Sequence, residues 1–247
     1  RSIVDGSMRA KLFSQCYIGD SHREMCCCEA LFLGYQPDDC GYLGNQVSVW
    51  LEPDLPVYHW FCGVSSKRIE KYFGSLLVGV RRTIYDSSYE EEDLTLLNWP
   101  ETNRLEDLAK ARLLPVRQAI GQYLSGYASE DLCCSLKNVT VRHVDTMHGE
   151  GQQLMDWIRG CLGACVPQEE SEGTPVEYRT KLIMDPKSKE SLSLEFKYSD
   201  TRLFKWRKFR DGSMGEIEAS IAGKIEKIPT RTKPLGADQT IAESLFF

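Results

Sequence analysis

The sequence predicts an α+β fold, with helices and short antiparallel strands in the N-terminal two thirds and an antiparallel β-meander in the C-terminal third. Three observations carry this. Apolar residues recur at helical spacing over 105–124 and 151–165. Short β-branched and aromatic runs bounded by Pro, Gly and Asp recur elsewhere, and after residue 175 four such runs follow one another with only turn residues between them.

Taken in chain order, the Gly6-Ser7 pair before Met8 reads as a junction, so residues 1–7 are expected to be an added linker. The residues after Met8 lack the apolar core of a secretory signal, which places the protein in the cytoplasm or nucleus. Ser21-His-Arg-Glu24 has the pattern of a capping box, in which the serine oxygen accepts from the third amide and the glutamate reaches back. With Gly34 as a C-cap, it predicts a buried helix over 22–33. The runs 47–51 and 57–62, joined by a loop with two prolines, predict a hairpin. Ser65 or Ser66 caps a helix ending near Gly74, and 76–85 then reads as a strand. The next eight residues, Asp86 to Asp93, hold five acids, which predicts a repelling, solvated loop. Asn103 is expected to cap a helix that puts Leu105, Leu108, Ala109 and Arg112 on one face, divided by Pro115 from a second half over 116–124. A strand over 138–147 and an amphipathic helix over 151–165 follow.

The polar, breaker-rich stretch 167–175 is the best linker, dividing an acidic region, 8–166, from a basic meander, 175–228, that can share its core. The meander's strands are expected at 176–184, 191–198, 202–209 and 215–228. Residues 229–247 are expected to be a tail, mobile up to an apolar end that docks.

Composition bounds the function. The chain has 247 residues, 42% hydrophobic and 27% charged, enough for a self-sufficient core and without low-complexity tracts. Its apolar runs fall far short of the roughly 20 residues of a membrane span. Net charge is −6, yet 179–233 holds 14 Lys and Arg against 8 Asp and Glu, so the positive charge is concentrated in the meander. Ten cysteines, several of them adjacent in sequence, fit free thiols in a reducing compartment better than a disulfide framework.

Four constellations carry chemistry. In 202–210 five cations and three aromatics occur without an acid. Arg202, Lys205, Arg207, Lys208 and Arg210 could hold phosphates while Trp206 stacks on a base. Strand alternation, however, spreads rings and cations over both faces, as a core strand with one wet face also would. Second, Asp185-Pro186 followed by Glu195-Phe196-Lys197 supplies two carboxylates for a hard cation and a lysine beside them. These residues resemble the core of the PD-(D/E)xK nuclease superfamily, with the proline after the first acid. The resemblance implies Mg²⁺ held by Asp185 and Glu195, with Lys197 helping to activate water. Third, Cys40, His59 and Cys62 offer zinc ligands, but a tetrahedral site needs a second short knuckle, and cysteines packed as small hydrophobes explain the same letters. Last, Cys27, Cys133 or Cys161 could serve as a nucleophile with His59, His143 or His148 as base, which sequence alone cannot bring into contact.

The expectation is a non-catalytic intracellular binding protein without cofactor. It would act on nucleic acid through the basic aromatic strand, or on another protein as an adaptor or viral assembly factor. A Mg²⁺-dependent nuclease is the alternative.

Overall fold

The computed structural model describes residues 9–18, 25–34, 47, 55–77, 79–90, 92–99, 102–165, 175–221, 223 and 225–246. The chain divides into two compact units, residues 1–57 with 64–80, and residues 58–63 with 81–247. Helices and strands are both abundant, so the fold class is α+β. No helix among the described residues is long and apolar enough to cross a membrane.

In the first unit, β1 (Arg9–Ile18) and β2 (Met25–Gly34) form a two-stranded antiparallel ribbon. This corrects the helix expected over 22–33. Residues 25–28 and 30–33 are apolar almost without interruption and so carry no 3.6-residue period. They pair along their whole length with an equally long partner, and Phe13 meets Phe32 edge to face at 5.3 Å between centroids. The Ser21-His-Arg-Glu24 capping box lies outside the described residues. A short helix, α1 (Ser66–Arg68), continues through wider and tighter turns to Leu77, near the expected helix end. Ser65 occupies its N-cap position, although its side chain makes no capping bond.

The second unit holds two sheets. β3 (Tyr58–Trp60), β4 (Arg82–Tyr85) and β5 (Leu105–Asp107) form a small parallel sheet. The run 57–62 thus pairs in parallel with β4, and the other arm of the expected hairpin, beyond Val47, lies outside the described residues. Of the strand expected over 76–85, only the last four residues are extended. Asn103 does not cap the main helix. Asp107 does, its carboxylate accepting from the Ala109 amide at 2.9 Å, because Leu105–Asp107 is recruited as a strand beside β4. Helices α2 (Leu108–Arg112) and α3 (Leu114–Leu124) divide at Leu113, and Pro115 sits in the first turn of α3, where its missing N–H is harmless.

The larger sheet has six strands in the order β11-β10-β9-β8-β6-β7. They are β6 (Leu136–His143), β7 (Glu177–Leu182), β8 (Glu190–Tyr198), β9 (Leu203–Phe209), β10 (Met214–Ser220) and β11 (Glu226–Arg231). β8 to β11 form an antiparallel meander, in which the single strand expected over 215–228 is folded back into two, β10 and β11. β7 does not join it directly, because β6 inserts between β7 and β8, parallel to the first and antiparallel to the second. The inner face packs Val139, Val141, Leu192, Leu194, Phe196, Phe204, Trp206 and Ile217 against Val116 and Ile120 of α3 and against Leu154, Met155 and Ile158 of α5 (His148–Cys165). Burying each large side chain contributes roughly 1.5–3 kcal/mol over leaving it in water. Short α4 (Ser129–Cys133) precedes β6.

Where a mobile tail was expected, β11 completes the sheet edge and α6 (Ala237–Phe246) packs near α2. The Leu235 amide ties the intervening loop to the Arg112 carbonyl at 3.1 Å. Cys28, Cys62, Cys133, Cys134 and Cys161 form no disulfide, as expected, but Cys16 is disulfide-bonded.

Candidate binding surface

Strand alternation sends Arg142, Ser193, Glu195, Lys205, Arg207, Glu216, Glu218 and Lys227 to the outer face of the large sheet, opposite the helices. Read across the register, Arg179, Thr140, Glu195, Lys205, Glu218 and Lys227 lie in one row, so signs interleave from strand to strand. Contacts follow from that order. Arg142 pairs with Glu195 at 3.0 Å, and Lys205 pairs with Glu190 at 3.2 Å. Arg207 is held by Glu218 and, at 2.6 Å, by Glu216.

The residues singled out for nucleic acid are therefore occupied. Trp206 has no exposed surface and Phe204 lies beside it in the core, stacked on Tyr123 at 5.9 Å, so neither ring can reach a base. Arg202 bridges Asp200 at 2.8 Å and the carbonyls of Asp131 and Cys134, lying over the Tyr198 ring. It pins the α4 turn to the β8–β9 loop. Lys208 donates to the Phe209 carbonyl at 3.2 Å, and burial lowers its pKa. Arg210 donates to the Ser188 carbonyl at 2.9 Å.

The nuclease-like residues are not assembled either. Asp185 lies exposed in the turn after β7, where its carboxylate accepts from the Lys187 amide at 2.9 Å. Glu195 is on β8, and β6 stands between the two strands. Lys197 approaches Glu195 at 3.5 Å, but Arg142 is the nearer partner of that acid. Of the zinc candidates, Cys40 lies outside the described residues. His59 packs edge-on to Phe61 at 6.2 Å and burial lowers its pKa, while Cys62 is exposed and has its thiol pKa raised, first by burial and then by Glu90. Among the described residues, no three His, Cys, Asp or Glu side chains form a metal-binding group.

A buried polar hub escaped sequence reasoning. Asp86, expected in a solvated acidic loop, is only 7% exposed. Arg112 grips it through both terminal nitrogens at 2.7 Å and reaches Glu150 through Nε at 2.7 Å. Ser88 closes the ring, accepting from Arg112 at 3.0 Å and donating to Glu150 at 2.6 Å. Burial opposes the charge on Arg112, but the Asp86 hydrogen bonds and the Glu150 charge outweigh it and hold its pKa above the ordinary value. Next to it Asp107 accepts from the Ser87 amide at 3.1 Å and from Gln153 at 2.8 Å. Burial raises its pKa, against the lowering effect of the Ser87 and Ala109 hydrogen bonds. A cleft of about 280 Å³ opens beside Asp107, lined also by Tyr85, Trp99, Lys110 and Gln153. The signal for the hub was the glycine pair in His148-Gly-Glu-Gly151. A Cβ at Gly149 would lie 2.6 Å from the Ser88 amide nitrogen, and one at Gly151 2.6 Å from His143 Cδ2. Only bare backbone lets α5 come this close to the 86–88 loop and to β6.

No family model matches the chain, and neither a curated protein nor a solved structure matches it.

Proposed function

We propose that the chain is a non-catalytic binding protein whose partner is another protein, in the manner of an adaptor. The observation that carries this reading is the engagement of Lys205 and Arg207 with Glu190, Glu216 and Glu218, together with the burial of Trp206. A phosphate backbone is held by cations that exchange small counterions for phosphates, and cations already neutralised by carboxylates of their own sheet release none. A surface with interleaved signs instead suits a folded or extended polypeptide of complementary pattern.

The test is a mobility-shift titration of the chain with labelled single- and double-stranded RNA and DNA, with and without Mg²⁺. The reading expects no retention at physiological salt and no cleavage. Retention that falls steeply with salt and is lost in Lys205→Ala/Arg207→Ala would overturn it in favour of nucleic-acid binding. Mg²⁺-dependent cleavage silenced by Glu195→Ala would establish the nuclease alternative.

A further inference from the structure

We propose that the free edge of β7 accepts a strand from the partner, and that this strand alternates acidic with apolar residues. The proposal rests on the protein-binding reading and adds to it the mode of docking and the chemistry of the ligand.

The two edges of the large sheet differ. β11 carries Pro229 in its middle, opposite Glu216, and a proline cannot donate to an added strand. β7 contains no proline and, among the described residues, pairs only with β6. The Ile183 amide donates to the His143 carbonyl at 2.7 Å, so alternation turns Glu177, Arg179 and Lys181 toward β6 and leaves the N–H and C=O groups of Tyr178, Thr180 and Leu182 facing outward. Among the described residues these outward groups have no backbone partner. They form a ready template for strand addition.

The side chains beside this edge state what would fit. On the outer face stand Arg179 and Lys181, both exposed, with Arg142 one strand inboard. Glu177 pairs with Arg179 and Glu195 with Arg142, whereas Lys181 has no carboxylate partner among the described residues, which leaves this rim positive. On the inner face the edge offers Tyr178, Leu182 at 44% exposure and, just beyond the strand, Met184 at 78%. A strand added in plane would set every second side chain against the cations and the others against Tyr178 and Leu182. Acidic residues satisfy the first set and apolar residues the second. A second copy of this chain is a poorer occupant, because antiparallel β7–β7 pairing centred on Thr180 sets Arg179 of one copy opposite Lys181 of the other, and pairing centred on Arg179 sets the two Arg179 side chains opposite each other.

The experiment uses the full chain in two steps. Amide hydrogen exchange is followed first, where Tyr178, Thr180 and Leu182 should exchange much faster than Arg179 and Lys181. Uniform protection along β7 would mean the edge is already covered and would overturn the proposal. A fluorescent ten-residue peptide alternating Glu and Val is then titrated against one alternating Lys and Val. Binding of the Glu peptide at least ten-fold tighter is expected, with slowed exchange at the three outward amides. Thr180→Pro removes an outward donor without breaking the β6 ladder and should lose at least ten-fold in affinity while melting like the native chain, and Lys181→Glu should lose Glu-peptide affinity in the same way. Equal binding of both peptides, no binding of either, or undiminished binding to Thr180→Pro refutes strand addition. Such a failure leaves protein binding standing as long as the RNA and DNA titration stays blank, and retention there overturns the broader reading instead.

Discussion

Replacing Arg112 by Met tests the buried hub most directly. The native guanidinium neutralises two carboxylates whose side chains are 10% and 8% exposed, Asp86 and Glu150, and it also donates to Ser88. Met fills a similar volume and leaves both acids buried without a cation. Breaking a buried ion pair from one side costs about 3–5 kcal/mol. In a unit of this size each kcal/mol moves the melting temperature by about 2–4 °C, so the expected loss is about 6–20 °C. Thermal melts followed by circular dichroism read it. Adding Asp86→Asn and Glu150→Gln to the same chain should recover most of the loss at neutral pH, because no unpaired charge remains. An Arg112→Met chain that melts within about 2 °C of the native protein at pH 7 would refute the reasoning, since the hub would then carry under about 1 kcal/mol.

Two further outcomes follow from neighbouring features. Asp107 has a raised pKa in the folded chain, so its charged form opposes folding above that value and the penalty disappears below the unfolded one. Asp107→Asn, which keeps the capping oxygen, should therefore match or exceed native stability at pH 7 and lose that advantage below about pH 4, whereas Asp107→Ala should cost about 1 kcal/mol at pH 7, both read by urea denaturation. Gly215→Ala would place a methyl 2.0 Å from the Arg207 carbonyl oxygen and 2.4 Å from Thr232 Cγ2, so β10 must shift from β9 at a cost of about 1–3 kcal/mol or more, seen as a lowered melting temperature.

The large sheet was legible because its signals are local. Alternation over 191–198, 202–209 and the start of 215–228, with turn residues between, specifies strands whose inner residues Leu194, Phe204, Trp206 and Ile217 are the observed core, while the reversal inside 215–228 was not read. α5 was legible from the 3.6-residue spacing of Leu154, Ile158 and Leu162. What failed depends on partners distant in sequence. The capping signal at Asn103 is outcompeted when Leu105–Asp107 pairs in parallel with β4, and the fully apolar run in β2 has no period to separate helix from strand. The hub was hidden for the same reason. Asp86 looks like one more acid in an acidic loop until Arg112 and Glu150 are brought to it from 26 and 64 positions away. The basic strand's local excess of cations is faced by carboxylates on β8 and β10, a balance that residue order along one strand does not display.

The position of β6 has a consequence of its own. It and α5 precede residue 166, yet β6 lies between two strands that follow residue 175, and α5 covers the inner face of the same sheet. The sheet cannot be completed until both sides of that boundary have been synthesised, and neither side alone closes its hydrogen-bond ladder or its core. A cut between residues 166 and 174 would thus yield two polypeptides locked to each other as a heterodimer, with one fragment supplying an inner strand of the other's sheet.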